Sequence, residues 1–506
     1  MQPATRLGAR DGMAAVASIA AVAGSYAAAG RQPAFLVAPV ERALSRAMPG
    51  SVIEFAIAFL GSLGQELNLL VATGLTIVGL TVLIRLTLPT ADRPIGFALA
   101  PILTALGTWV LATGLTGAPV IAIAAALPAA AVVAIGLAAD RFPAGDYQSD
   151  SRRAILTAIA GGSVGLIGYL VGQSRSAPEE TDPVPGPTVD HEAIESALAV
   201  ADARNLEYDG LDPLVSEDFY QVSINAIDPS VNREDWSLSI TGAVDTEIEL
   251  DFEDILQREA ENRFVTLRCV GESLNGKQCD TALWTGVPVA DLLEETGPLE
   301  GREAVMLHGA DDYYVEFPLA ALEPGLLAYG MNGAPLPRGH GAPLRALVPG
   351  HWGEVNTKWL TEIEVLERPA VGYWEARGWH GTGPVSPVTK LYTTRDRPDG
   401  RRLLGGFAYA GTRGVTRVEV STDGGSTWTD ADLSESLDLD EEIIGPQSDA
   451  PHDAWRQWAL VYDPPATSHE VVVRLIDGDG DLQPRERGDR QNSGAFGWVS
   501  QELSGR

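Results

Sequence analysis

Lysine, cysteine and early histidine are what this 506-residue chain has least of. There are three lysines, Lys277, Lys358 and Lys390, and two cysteines, Cys269 and Cys279. Two cysteines cannot make the disulfide framework of a small secreted domain. The first histidine is His191, so no segment before it can offer the paired imidazoles that hold a membrane haem. Acid outweighs base, with 68 Asp and Glu against 36 Lys and Arg and a net charge of −32. Such a surface repels polyanions, so a nucleic-acid partner is not expected. It also stays hydrated when salt screens its charges, which points to a halophile.

The charge is unevenly placed. Residues 1–176 carry 11 Arg, no Lys and 8 acids, whereas the remainder carries 25 basic and 60 acidic residues. The first part is also where the long apolar runs lie. Met13–Ala29, Leu67–Leu88, Ile95–Leu115, Ala118–Ala139 and Ala154–Val171 are each about bilayer length, giving five expected spans. Ser51–Leu63, which carries Glu54, reads as an interfacial segment. Arg85, Arg93, Arg141, Arg152 and Arg153 favour a cytoplasmic N-terminus, with Arg31, Arg42 and Arg46 against it, so the acidic part is expected to face outward. Ser151-Arg152-Arg153 before the last run resembles a twin-arginine export signal, or it marks positive-inside topology alone.

Ala177–Thr188 is a proline- and acid-rich linker, and His191–Leu206 reads as a short amphipathic helix. Beyond it, alternating runs at Trp236–Ile240 and Phe264–Leu267 mix with a helical Val289–Glu295, an α+β texture. From about Val388 the chain becomes strands between Gly- and Asp-rich turns: Leu403–Ala410, Val415–Ser421, Gln457–Tyr462 and Glu470–Ile476. That is the pattern of an all-β immunoglobulin-like sandwich. The expected domains are thus a membrane domain (1–176), a linker and helix (177–205), an α+β domain (206–387) and the sandwich (388–506).

Chemistry concentrates in the α+β part. Phe264-Val-Thr-Leu-Arg-Cys269 ends an apolar strand on a thiol whose direction the strand would fix. Further on, Tyr329-Gly-Met-Asn332-Gly-Ala-Pro335-Leu-Pro337-Arg-Gly-His340-Gly-Ala-Pro343-Leu-Arg345 leads to Val348-Pro349-Gly350 and then Asn356-Thr357-Lys358-Trp359. Here basic residues alternate with Gly, Pro and apolar positions, unlike a solvated charged face. This order of motifs, from about Asp218 to the C-terminus, resembles the molybdopterin-binding core and dimerisation domain of the sulfite oxidase family.

The resemblance implies a bound molybdenum with molybdopterin, and oxygen-atom transfer with electrons passed to an external acceptor or donor. It implies Cys269 as the metal ligand. His340, Arg345 and Lys358, with Asn356 and Thr357, would hold the pterin's phosphate and ring edge, and Asp311 or its neighbour Asp312 would be an acidic pterin contact. Arg377, Trp379 and His380 would line the substrate side. No attached haem domain is expected, and the sandwich would pair two subunits. Two departures are visible: Trp379 stands where sulfite oxidases place a tyrosine, and Gln221–Asn225 lacks the expected substrate-gripping arginine. The substrate is therefore a small anion such as sulfite or another sulfur compound, with sulfoxide reduction as the alternative within the family. A membrane-tethered binding protein without cofactor is the alternative outside it. Cys279 is expected to be free. Ser421–Trp428 matches an Asp-box hairpin, and Asp477–Asp481 reads as a hairpin turn; neither is given chemistry.

Overall fold

The computed structural model describes residues 4–56, 60, 62–88, 94–139, 162, 165–174, 183–488 and 493–506. The chain divides into two compact units: one of residues 1–48, 60–178 and 223–230, and one of the rest.

The first unit is helical: α1 (Ala4–Ala29), α2 (Ala38–Ala47), α4 (Ser62–Thr87), α5 (Pro94–Thr116) and α6 (Pro119–Ala139), with α3 (Gly50–Phe55) assigned to the other unit. Four helices, at Arg10–Ala29, Leu63–Thr87, Leu99–Thr116 and Pro119–Ala138, are long and apolar enough to cross a membrane. They coincide with four of the five runs read from the sequence. The fifth, Ala154–Val171, and the arginine pair at 152–153 lie largely outside the described residues; 165–173 are helical. Small residues allow close packing, and at Gly24 a side chain would run into the Ala124 carbonyl of α6. Leu70, Val78, Val82, Leu86, Leu106 and Val110 point outward, the side that lipid would solvate.

Residues 223–230 count with these helices. Ile227 is buried in their core. The Ala226 N–H donates to the buried Glu41 carboxylate at 3.0 Å, which also accepts from Ser45 and Asn68.

The second unit holds four sheets. Its first runs β2-β1-β10-β5-β6, using β1 (Ser237–Gly242), β2 (Ile248–Asp251), β5 (Ala304–Gly309), β6 (Tyr314–Pro318) and β10 (Leu360–Leu366), with β1 and β10 parallel. The second is antiparallel, β3 (Glu261–Arg268), β4 (Cys279–Pro288), β7 (Leu326–Met331) and β8 (Ala334–Pro335), with β9 (Arg345–Leu347) on β7. All eight residues of β3 are buried, its polar ones among them, so the strand is covered on both faces.

After Val388 come two antiparallel sheets. One holds β13 (Arg402–Tyr409) between β11 (Val388–Thr389) and β17 (Arg456–Tyr462); the other holds β14 (Val415–Ser421) against β18 (His469–Asp477) and β19 (Val499–Leu503). The Asp423 carboxylate accepts from Ser421, Ser426 and Thr427 and so ties the Asp-box turn. Asp477 closes its own turn through the Asp481 N–H at 2.9 Å. Both motifs are thus used in holding backbone.

Candidate active site

Cys269 stands one residue past the end of β3, where Arg268 faces Cys279 of β4. Its N–H donates to the Gln278 carbonyl at 2.9 Å, so residues 270–277 leave the ladder as a loop closed at its base. The loop is pinned by charge. Arg268 donates to Glu272 at 2.7 Å and to the carbonyls of Ser386 and Ala495 at 2.8 Å, while Lys390 also binds Glu272. All three charged side chains are essentially excluded from water. Both cysteines are free thiols.

Burial pushes the Cys269 thiol up to about 12, with Glu272 and Glu354 adding to the rise and the Gly271 N–H opposing it. A thiolate forms at such a position only when a cation binds beside it. Across the end of β3 lies a single 3-10 turn, Gly353–Val355. A Cβ at Gly353 would sit 2.9 Å from the Tyr220 hydroxyl and 3.2 Å from the Arg268 carbonyl, so the absence of a side chain there lets the phenol approach. Burial, and then the charge of Cys269, hold Tyr220 well above the ordinary tyrosine range, keeping it a phenol that can donate. Glu354 follows on the same turn, against Gly381 and close to Val270.

The basic residues gather beside this pocket. His340 ends a 3-10 turn, and its ring meets Phe219 edge-on at 5.5 Å. Burial, then Arg345 and Lys358, lower it to about 3, so it is neutral and can both donate and accept. Arg345 starts β9, lies over the Trp284 ring at 5.1 Å and donates to the carbonyls of His340 and Asn356. Burial lowers it only to about 10, so it keeps its charge. Its buried Nε and the buried Thr357 hydroxyl have no hydrogen-bond partner among the described residues. Lys358 donates to the Gly339 carbonyl at 3.0 Å. Asn356 is spent on the fold, accepting from the Val348 N–H and donating to the Trp352 carbonyl. Asp311 is buried in the β5–β6 turn beside Thr357 and Lys358, whereas Asp312 is exposed. The structure thus places His340, Arg345, Asn356, Thr357, Lys358 and Asp311 near one another, with Tyr220 close enough to feel both Arg345 and Cys269.

The three residues read for the substrate side sit differently. Arg377 stacks on Tyr373 at 3.7 Å and donates to its carbonyl. Trp379 is buried against Trp374 at 5.0 Å, and His380 is exposed. The adjoining Gly381 packs on Glu354 and Val270. Sequence reasoning missed Tyr220, next to the Gln221–Asn225 stretch it singled out, and Glu354 with Glu375, which no local spacing connects.

Comparison with known proteins matches this geometry to two family models. An oxidoreductase molybdopterin binding domain covers residues 225–374, and a Mo-co oxidoreductase dimerisation domain covers 386–492. The chain belongs to the sulfite oxidase family of molybdenum oxidoreductases. It is 29% identical to the mitochondrial sulfite oxidase of Rattus norvegicus, over 51% of this chain and 54% of that one. With the NADPH nitrate reductase of Aspergillus niger it shares 28%, over 54% and 39%. The chain spans about half the length of these relatives. The sulfane dehydrogenase SoxCD of Paracoccus pantotrophus superposes with a TM-score of 0.47 at 19% identity, covering 65% of this chain and 94% of that one, so the assignment rests on the matched segments instead.

The residues present fit the family's cofactor. No three His, Cys, Asp or Glu side chains among the described residues converge as a metal cage, so a metal at Cys269 would take its other ligands from a bound group. The cradle has the donors for that group's phosphate: the buried Arg345 Nε and Thr357 hydroxyl that lack partners, beside Lys358.

Proposed function

We propose that this chain is a molybdopterin-dependent oxidoreductase that transfers an oxygen atom at sulfur, oxidising sulfite to sulfate and passing electrons to an external acceptor. The observation that carries this reading is a buried free thiol just past the end of β3, together with a cation cradle that has unpartnered buried donors. Molybdenum, once bound, supplies two-electron oxygen exchange. The chain's residues do the rest: Cys269 gives the protein ligand, and Arg345, Thr357 and Lys358 hold the phosphate. Neutral His340 offers one donor and one acceptor to the ring edge. The Tyr220 phenol donates to a substrate oxygen, the part that Trp379 cannot play.

One observation favours sulfoxide reduction instead. The Arg268 guanidinium, the cation next to Cys269, is spent on Glu272, Ser386 and Ala495. A dianion is less welcome there than a neutral sulfoxide. The helical unit supports a multi-pass membrane protein, the arginine distribution is what favours an outward-facing acidic domain, and the dimerisation domain supports a homodimer.

The test is a pair of assays on the purified full chain. Sulfite turnover with ferricyanide, abolished in Cys269→Ser, supports the first reading. Methionine sulfoxide reduction by reduced viologen without sulfite turnover supports the second. Absence of both molybdenum and pterin from protein grown with molybdate would overturn either and leave a binding protein.

A further inference from the structure

Glu354 and Glu375 come together from separate turns, the first at 353–355 and the second in the 3-10 turn Glu375–Arg377. Their carboxyl groups lie within hydrogen-bonding reach of each other. Glu354 is 8% exposed, and all four carboxyl oxygens are buried without a well-formed hydrogen bond. The N–H groups of Gly381 and Glu375 lie near them and favour the charged form somewhat, but do not complete such bonds. Two carboxylates cannot face each other this way, whereas a carboxyl and a carboxylate can, with one proton between them.

Two glycines make the room. A Cβ at Gly381 would sit 2.5 Å from a Glu354 oxygen, and one at Gly372 would collide with a Glu375 oxygen. Aromatic rings wall the pair: Tyr313, Tyr373, Trp374 and Trp379 follow one another at 5.7, 5.1 and 5.0 Å. The Tyr313 hydroxyl donates to the Glu354 backbone carbonyl at 2.8 Å.

The pair lies between the pocket and water. On the inner side, Gly381 touches both Glu354 and Val270, the residue after Cys269, and the charge of Glu354 is felt at Cys269. On the outer side Glu375 is felt by Glu316 and feels exposed His380. The titratable groups facing the pair are thus Cys269, Tyr313, Glu316, Tyr373 and His380.

We infer that Glu354 and Glu375 share one proton and form the relay by which protons pass between the pocket at Cys269 and bulk water, with His380 at its outer end. This rests on the oxygen-transfer reading above, but not on its direction. When sulfite and water become sulfate, an S–O bond forms, water gives up two protons and two electrons leave one at a time to the external acceptor. When a sulfoxide is reduced, the S–O bond breaks and two electrons from a viologen-type donor with two protons release water. Either way a proton must cross from a buried pocket, and a half-protonated pair can take up a second proton on one side and release one on the other, so that two carboxylates never face each other.

Infrared difference spectra of the full chain test the pair without turnover. A deuterium-sensitive band from a protonated carboxyl, beyond the contribution of Asp453, is expected at pH 7 in the wild type, lost in Glu354→Gln and shifted in frequency in Glu375→Gln. Each variant should also lower kcat by about 100-fold with KM and molybdenum content little changed. Because those variants alter a buried site, His380→Gln at the exposed end is the second probe: slowed turnover restored by added imidazole is expected. An unchanged band and an unchanged kcat in the two Gln variants overturn the relay while leaving the oxygen-transfer reading intact. A wild type with no molybdenum and no turnover overturns both, the band then marking only a structural pair.

Discussion

The buried carboxyl of Asp453 accepts the backbone N–H of Gly350 at 2.8 Å, joining the all-β part of the chain to the loop that follows β9. Its other oxygen accepts the Tyr409 hydroxyl at 2.6 Å. One side chain thus ties the Pro349-Gly350 turn, which leads directly into the Gly353–Val355 turn that carries Glu354, to β13. Asp453→Ala leaves the buried Gly350 N–H unpaired and the Tyr409 hydroxyl with only the Thr266 carbonyl, and is expected to cost ~1–3 kcal/mol. Thermal denaturation should show it, and Asp453→Asn should lose less.

Acidic pH should stabilise this protein over part of its range, opposite to the usual carboxylate behaviour. Burial raises Glu354 from 4.5 to about 8 and Asp453 from 3.8 to about 7. Between those ordinary and raised values the folded state binds more protons than the unfolded one, so stability falls as pH rises. The melting temperature is therefore expected to drop between about pH 5 and pH 8. Glu354→Gln should flatten the slope; a melting temperature rising through that window would contradict the assignment.

Glu272 neutralises two cations at once. Replacing it with Ala strands Arg268 and Lys390 in an interior position, with an expected loss of ~3–5 kcal/mol. Since the same triad holds the loop that begins at Cys269, molybdenum content should fall with stability. Glu272→Gln, which keeps part of the hydrogen bonding, should fall less in both measurements.

In the cradle, charge and shape should separate. Arg345→Met and Lys358→Met are each expected to reduce bound pterin, read by its fluorescence after release. Arg345→Lys should restore little, because an ammonium cannot reproduce the guanidinium's fork. Cys269→Ser should retain pterin and lose turnover.

Much of this architecture was legible in the sequence where a local period carries the signal. β14 falls on Val415–Ser421 as read, and the helix expected at Val289–Glu295 runs to Thr296. The thiol's place at the end of β3 followed from one apolar strand. Tyr220 and Gly353, or Glu354 and Glu375, are different: each pair is joined by tertiary packing, and no spacing along the chain announces it. The burial of Asp311 in place of Asp312 likewise depends on a turn in which Asp312 takes a positive φ of 69° and leaves its predecessor facing inward. Residues 223–230 fall within the stretch 206–387 that the sequence assigns to the α+β domain. Only packing reveals that Ile227 belongs with the helices.

That last residue bears on how the protein can be handled. Cutting the chain at its proline-rich linker to obtain a water-soluble enzyme would remove every helix that shelters Ile227 and the carboxylate that receives the Ala226 N–H. The shortened protein would carry a bare apolar hook a few residues from Tyr220, prone to self-association and free to pull on the phenol. Detergent extraction of the whole chain is the gentler route to an intact pocket.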